Sequence, residues 1–241
     1  MRIQLCGRLT ATIDGADVEL RGRQSQRVFA YLLVNRLRAS SRQELVDAVW
    51  PDDRPPAADS ALSALLSKLR KTVGPGRLEG RHELRLALPD DAWIDTEAAA
   101  AGLHRAESAT GRCDWPDAWV AARIAQHIAV RPFLAGDSTL WIEEQRRQLE
   151  GIHLRALELA AQASLAIGAT EIATAERTAR TLVRLAPFRE SGYRYLMQAV
   201  DAGGNRAEAL QVYEQLRTLL REELGASPSP VTQELHRRLL T

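Results

Sequence analysis

The stretch AADSALSALLSKLRKTV, Ala57 to Val73, decides how the N-terminal half reads. Ala61, Leu62, Leu65, Leu66, Leu69 and Val73 recur at spacings of three, four and seven, which places them on one face of a helix. The other face carries Ser60, Ser63, Ser67, Lys68, Arg70 and Lys71, and Lys68 and Lys71 are the only lysines in the chain. Leucines can hold such a helix to a core while its small polar residues and cations meet base edges and phosphates in a major groove. A solvated amphipathic helix with a basic end would show the same pattern, so the flanking sequence has to decide.

Upstream, Arg2 to Ile13 alternates apolar and polar residues, then Asp14-Gly15 leads to Val18 and Leu20. This predicts two short strands around an Asp-Gly turn. Gln24 to Asn35 reads as a helix with Val28, Leu32 and Leu33 inward and Arg27 and Arg36 outward. Ser41 and Glu44 have capping-box spacing and open a helix to about Trp50. Pro51-Asp52-Asp53-Arg54-Pro55-Pro56 is a loop, because its three prolines remove donors and restrict their neighbours. Downstream, Gly74-Pro75-Gly76 precedes a basic hairpin over Arg77 to Leu86. Strands, helix, capped helix, loop, basic helix and hairpin, in that order, describe a winged helix of the response-regulator type. The helix over 57–73 would enter the groove, Arg42 on the capped helix would abut the phosphates, and Arg77, Arg81, His82 and Arg85 on the wing would meet the backbone or the adjacent minor groove.

Charge distribution agrees with a nucleic-acid partner for this half. Between Arg21 and Arg85 there are 13 cations and seven anions, a net +6, against +1 for the whole chain, which leaves the remainder at −5. Cys6 and Cys113 belong to no CxxC pair, which argues against a disulfide framework or a zinc site and makes the cytoplasm the expected compartment. No run approaches the ~18 apolar residues of a membrane span, and the first residues are too polar for a signal peptide.

From Asp95 onward the pattern is helical throughout. Asp95 caps a helix to about Ala109, and Asp114-Trp115-Pro116 opens another to about Ile128. Arg131 to Gly136 is a loop. Helices follow over Leu140–Ile167, Thr170–Leu185, Phe188–Ala202 and Arg206–Leu224, and Ser229-Pro230 caps a last one to Leu240. Gly168 and Gly203 lie 35 residues apart between antiparallel helices, near the ~34-residue tetratricopeptide period. Ala160, Ala163, Ala173, Ala199 and Ala207 would let these helices approach closely. The expected architecture is therefore mainly α: an α+β winged helix over residues 1–94, then an all-α, tetratricopeptide-like domain over 95–241, whose stacked helices would offer a protein-binding surface.

Both halves, in this order, resemble the SARP family, the Streptomyces antibiotic regulatory proteins, which join an OmpR-type winged helix to a bacterial transcriptional activator domain. The matching residues are LVDAVWPDDRPPAADSALSALLSKLRKTVG (Leu45 to Gly74), WIEEQRRQLEGIHLRALELAAQASLAIG (Trp141 to Gly168), LAPFRESGYRYLMQAV (Leu185 to Val200), GNRAEALQVYEQLRTLLREELGASPSP (Gly204 to Pro230) and ELHRRLL (Glu234 to Leu240). The resemblance implies a transcriptional activator that binds direct repeats of double-stranded promoter DNA, dimerises at least on that DNA, recruits RNA polymerase and controls an antibiotic gene cluster. It aligns Ser67-Lys68-Leu69-Arg70 with the family's Ser-Arg-Leu-Arg, making Lys68 and Arg70 base or phosphate contacts, with Ser63, Ser67, Lys71, Arg42, Arg81 and Arg85 around them. It aligns Asp52, Asp53 and Arg54 with the turn that meets polymerase.

Several positions depart from the family. Lys68 lacks arginine's planar fork, Leu65 stands where relatives carry a longer polar or aromatic residue, and the wing ends Glu83-Leu84-Arg85-Leu86 in place of Gly-Tyr-Arg-Leu. The resemblance ends with the activator domain, so the nucleotide-binding and sensor domains of larger members, and a receiver domain, are not expected.

Enzymatic readings find little support. The histidines, His82, His104, His127, His153 and His236, are scattered, and no GxSxG, GxGxxG or P-loop occurs. No catalytic residue, metal or cofactor is expected. Asp52, Asp53 and Asp59 read as loop and first-turn anions favoured at a helix N-terminus, and Trp115, Trp119 and Trp141 as packing between helices. The competing reading is a helical-repeat module that binds protein, with weak or repressive DNA binding.

Overall fold

The computed structural model describes residues 1–241. The chain forms two compact units, Met1–Glu97 with Arg131–Leu149, and Ala98–Val130 with Glu150–Thr241. The boundary expected at residue 94 falls beside the first break, but the first unit also takes up 131–149, which sequence placed in the all-α half.

The first unit opens with a four-stranded sheet of order β3-β2-β1-β7, formed by β1 (Arg2–Gln4), β2 (Thr10–Ile13), β3 (Ala16–Val18) and β7 (Trp93–Ile94). The alternating run read as one strand is two, β1 and β2, paired antiparallel with Arg2 opposite Thr12. Asp14 and Gly15 join β2 to β3 with φ of 51° and 81°, the primed turn that matches strand twist. Strand β7 was not anticipated. It pairs parallel with β1 and carries the chain into Asp95.

Asp95 is wholly buried and does not cap its own helix as expected. Its carboxylate accepts the amides of Leu5 and Cys6, both at 2.9 Å, satisfying two donors at the end of β1. Burial, with the Asp95 charge and hydrogen bond adding to it, pushes the neighbouring Cys6 thiol up to about 12. This cysteine is an inert packing residue.

Three helices complete the winged helix: α1 (Arg23–Val34), α2 (Arg42–Val49) and α3 (Ala58–Val73). The capping box forms as read: the Glu44 amide donates to Ser41 Oγ at 3.2 Å and the Ser41 amide to Glu44 Oε2 at 2.7 Å. A second sheet, of order β4-β6-β5, joins β4 (Ser40–Ser41), β6 (Glu83–Leu86) and β5 (Leu78–Glu79), so the wing hairpin is tied to the residues just before α2. Phe29, Leu32, Leu33, Leu45, Leu62, Leu66, Leu84 and Leu86 fill the core.

The second unit is helical. It is built from α4 (Asp95–Gly111), which starts in the first unit, α5 (Trp115–Ala129), the C-terminal part of α6 (Leu140–Ile167), α7 (Ile172–Leu185), α8 (Glu190–Ala202), α9 (Arg206–Leu224) and α10 (Pro230–Leu240). Ala160, Ala163 and Ala199 are buried at helix contacts, whereas Ala173 and Ala207 face solvent and Ala175 and Ala209 take the inward positions. Gly192 lets α7 and α8 approach: a Cβ there would lie 3.1 Å from the Leu182 side chain. Trp115 and Trp119 pack against Ala109, Ala118 and Ala163, as their spacing suggested. Ser229 stands at the N-terminal cap of α10, but its hydroxyl donates to Glu190 on α8 and accepts no backbone amide of its own helix.

Candidate nucleic-acid interface

Helix α3 buries Leu62, Leu66, Leu69 and Val73 of the stripe its spacing predicted, with Ala61 and Leu65 half-buried at the margin, and also buries Ala58, which was not part of that stripe. Ser60, Ala64, Ser67 and Lys71 follow one another at four, three and four residues along the opposite, exposed line. Residues two apart on a helix diverge by about 200°, so Lys68 and Arg70 leave on opposite flanks. Lys68 Nζ donates to the Arg21 carbonyl at 3.3 Å, beside the start of α1. Arg70 Nη2 donates to the Gly80 carbonyl at 2.8 Å, in the turn of the wing. The two residues aligned as a contact pair therefore flank the exposed line, and Ser67 and Lys71 occupy it.

Arg42 reaches from the start of α2 to α3. Its guanidinium donates to the Asp59 carbonyl at 3.0 Å and to Ser63 Oγ at 2.8 Å, and pairs with the Asp59 carboxylate at 3.3 Å. Ser63 Oγ in turn donates to the Asp59 carbonyl at 2.8 Å. Arg42 and Ser63 thus stitch the helix-turn-helix together, and Asp59, a first-turn anion of α3, serves as the arginine's counter-ion. Arg77 is also engaged, with the Asp14 carboxylate at 2.7 Å and the Val73 carbonyl at 2.8 Å. Lys71, Arg81 and Arg85 are exposed and their side chains pair with no protein group.

Asp52, Asp53 and Arg54 project from the exposed loop between α2 and α3. A cleft of about 850 Å³ lies between this loop and the start of α1, with Leu65, Trp50 and Arg23 among its walls.

The loop leaves a helix end held by residues that sequence reasoning missed. Arg27, read as outward, points inward: its guanidinium binds the Asp137 carboxylate at 2.6 and 2.8 Å and donates to the Val49 carbonyl at 2.6 Å. The pair's side chains are only 14% and 9% exposed. Burial raises the Asp137 carboxyl, but hydrogen bonds and charge from Arg27, the Ser138 amide and the Arg23 charge outweigh it and hold the group below the usual carboxylate range. Trp141 Nε1 donates to the Ala48 carbonyl at 3.0 Å, and its ring meets Tyr31 and Phe133 edge-on at 5.3 and 5.9 Å. Arg146 fastens the segment to itself through the carbonyls of Phe133, Leu134 and Asp137. The one local signal was an aromatic beside an Asp-Ser-Thr turn, which does not reveal a partner about a hundred residues away.

No helix is long and apolar enough to cross a membrane. Residues 94–240 match the bacterial transcriptional activator domain family. Over its whole length the chain is 33% identical to the regulatory protein AfsR of Streptomyces coelicolor, of which it covers 24%. It is 24% identical to the transcriptional regulatory protein MoaR1 of Mycobacterium tuberculosis over 100% of this chain and 79% of that one. The solved structure of Mycobacterium tuberculosis EmbR, in complex with a low-affinity phosphopeptide, superposes with a TM-score of 0.84 at 26% identity, covering 99% of this chain and 64% of EmbR. The chain thus spans about a quarter of AfsR and under two thirds of EmbR. A winged helix and a helical-repeat unit, aligned along the whole chain with named transcriptional regulators, accompany this match: the chain belongs to the bacterial transcriptional activator domain family and is similar to regulators of the SARP type.

Proposed function

We propose that the chain is a sequence-specific activator that binds direct repeats in double-stranded promoter DNA. Helix α3 lies in the major groove with Ser60, Ser67 and Lys71 towards the bases and nearest phosphates, flanked by Ser63, Lys68 and Arg70. Arg42 lies at the backbone, and Arg81 and Arg85 of the wing reach the adjacent phosphates or minor groove. One observation carries this reading most directly. Arg70 fastens the wing turn to α3, so the wing that carries the exposed, unpaired cations Arg81 and Arg85 is tied to a helix whose exposed line, Ser60, Ala64, Ser67 and Lys71, has short side chains over most of its length and can approach a groove floor closely.

In this reading two copies occupy adjacent repeats, and Asp52, Asp53 and Arg54 point from the α2–α3 loop towards RNA polymerase. The resemblance to SARP proteins favours an antibiotic gene cluster as the target and the cytoplasm as the compartment, and no cofactor or catalytic step is involved.

Footprinting of the whole chain on DNA from its own gene neighbourhood, paired with run-off transcription by bacterial polymerase holoenzyme, tests the reading. The expected result is protection of two repeats one turn apart or a multiple of it, and transcription that depends on the chain. Protection with no effect on transcription, or with a decrease, would contradict activation. Loss of footprinting in Asp53→Ala or Arg54→Ala would contradict a polymerase-facing role for the loop.

A further inference from the structure

We infer that Trp141 and Asp137 are positioning residues for the Asp52–Arg54 loop, an inference that rests on the polymerase-contact reading above for its effect on transcription. The last carbonyls of a helix have no intrahelical partner, and whatever binds them sets the direction in which the chain leaves. At the end of α2, Trp50 donates back to Val46 at 2.9 Å. The orphan carbonyls of Ala48 and Val49, the last two helical residues, accept from Trp141 Nε1 and Arg27 Nη1. Arg27 is in turn fixed by the bidentate grip of Asp137. Every side-chain donor that caps this helix end is thus either on the 131–149 segment or held by it.

The recognition elements have separate supports. Arg42 joins α2 to α3 through Asp59 and Ser63, and Arg70 joins α3 to the wing. Releasing Trp141 or Asp137 therefore frees the loop and leaves the groove-facing residues in place. Trp141→Phe is the narrow probe: it keeps an aromatic ring against Tyr31 and Phe133 and removes the single N–H that reaches Ala48. Asp137→Asn keeps shape and removes the charge that orients Arg27.

The test uses the whole chain and a protease that cuts before aspartate. Cleavage before Asp52 and Asp53 reports loop opening, and cleavage before Asp90 and Asp91, in a loop remote in sequence, serves as the internal reference. When opening is fast relative to cutting, the rate follows the open population. Loss of one hydrogen bond to an orphan carbonyl should raise it about fivefold. The expected result for both variants is a fivefold rise before Asp52 and Asp53 relative to Asp90 and Asp91, unchanged DNA affinity, and lowered transcription. A relative rise with unchanged transcription would leave the positioning role standing and overturn the polymerase reading of the loop. Unchanged relative cleavage in both variants, or a rise equal at all four bonds, would overturn the inference. Should Trp141→Phe fail to fold, Asp137→Asn decides by the same ratio.

Discussion

Lys68 and Arg70, two residues apart on α3, bind backbone carbonyls on opposite sides of the helix, Lys68 that of Arg21 and Arg70 that of Gly80. Aligned together with the family's Ser-Arg-Leu-Arg, they serve different neighbours. One sits at the seam with α1, the other braces the wing, and Lys71 alone of the three cations stands on the exposed line between them.

Lys71→Ala should therefore weaken binding across all DNA sequences and lower the slope of log affinity against log salt by about one phosphate contact. Arg70→Ala should cost about 1–3 kcal/mol of binding through a loosened wing, with less change in the slope. Titrations of both variants at several salt concentrations separate the two roles. Equal slope changes would put both cations on phosphates.

The wing turn depends on Gly80. Its φ is +83°, and a Cβ there would sit 1.8 Å from the Glu83 carbonyl oxygen, inside the backbone of β6. Gly80→Ala must displace the turn and with it the carbonyl that Arg70 grips. About 1–3 kcal/mol of strain is expected, read as a lower melting temperature and weaker binding to duplex DNA. An alanine variant with wild-type melting and affinity would show that the turn is not built this way.

In the second unit Glu190 ties α8 to α10. Its carboxylate accepts the Ser229 amide at 3.0 Å, Ser229 Oγ at 2.7 Å and Thr232 Oγ1 at 2.5 Å. Burial raises this carboxyl, but the hydrogen bonds from Thr232 and Ser229, with the Arg194 charge nearby, outweigh it and hold the group below the usual glutamate range. A folded value below the unfolded one contributes stability that is present above the unfolded pKa of about 4.3 and lost as pH falls through the folded value. Thermal melts from pH 7 to pH 3 should show Glu190→Gln less stable than the parent at pH 7, with the difference closing below about pH 4. Parallel curves would contradict the linkage.

What was legible in the sequence was local. The α3 stripe and the Ser41–Glu44 box follow from spacings of three, four and seven within one segment, and the ends of α6 and α9 from the glycines that follow them, Gly168 and Gly225, and the structure reproduces them. What was hidden depends on partners far along the chain. Arg27 read as outward because a charged residue on a helix defaults to solvent, and its buried counter-ion lies 110 residues on. Asp95 read as a cap because it opens a helix, but the amides it serves are those of Leu5 and Cys6, just past β1 and 90 and 89 residues earlier. Strand β7, two residues long, carries no periodicity from which it could be found. In the candidate interface the residue types were legible and their grouping was not, because local spacing does not show which cations are bound to the protein's own carbonyls.

The most direct test of the central claim is a binding titration of the whole chain against DNA from its own upstream region and a scrambled duplex, at 50 and 200 mM salt. A groove-bound helix with a phosphate-contacting wing predicts preference for the native duplex and a steep loss of affinity with salt, about 10³-fold or more for six or more phosphate contacts. Equal affinity for both duplexes, or affinity indifferent to salt, would contradict it.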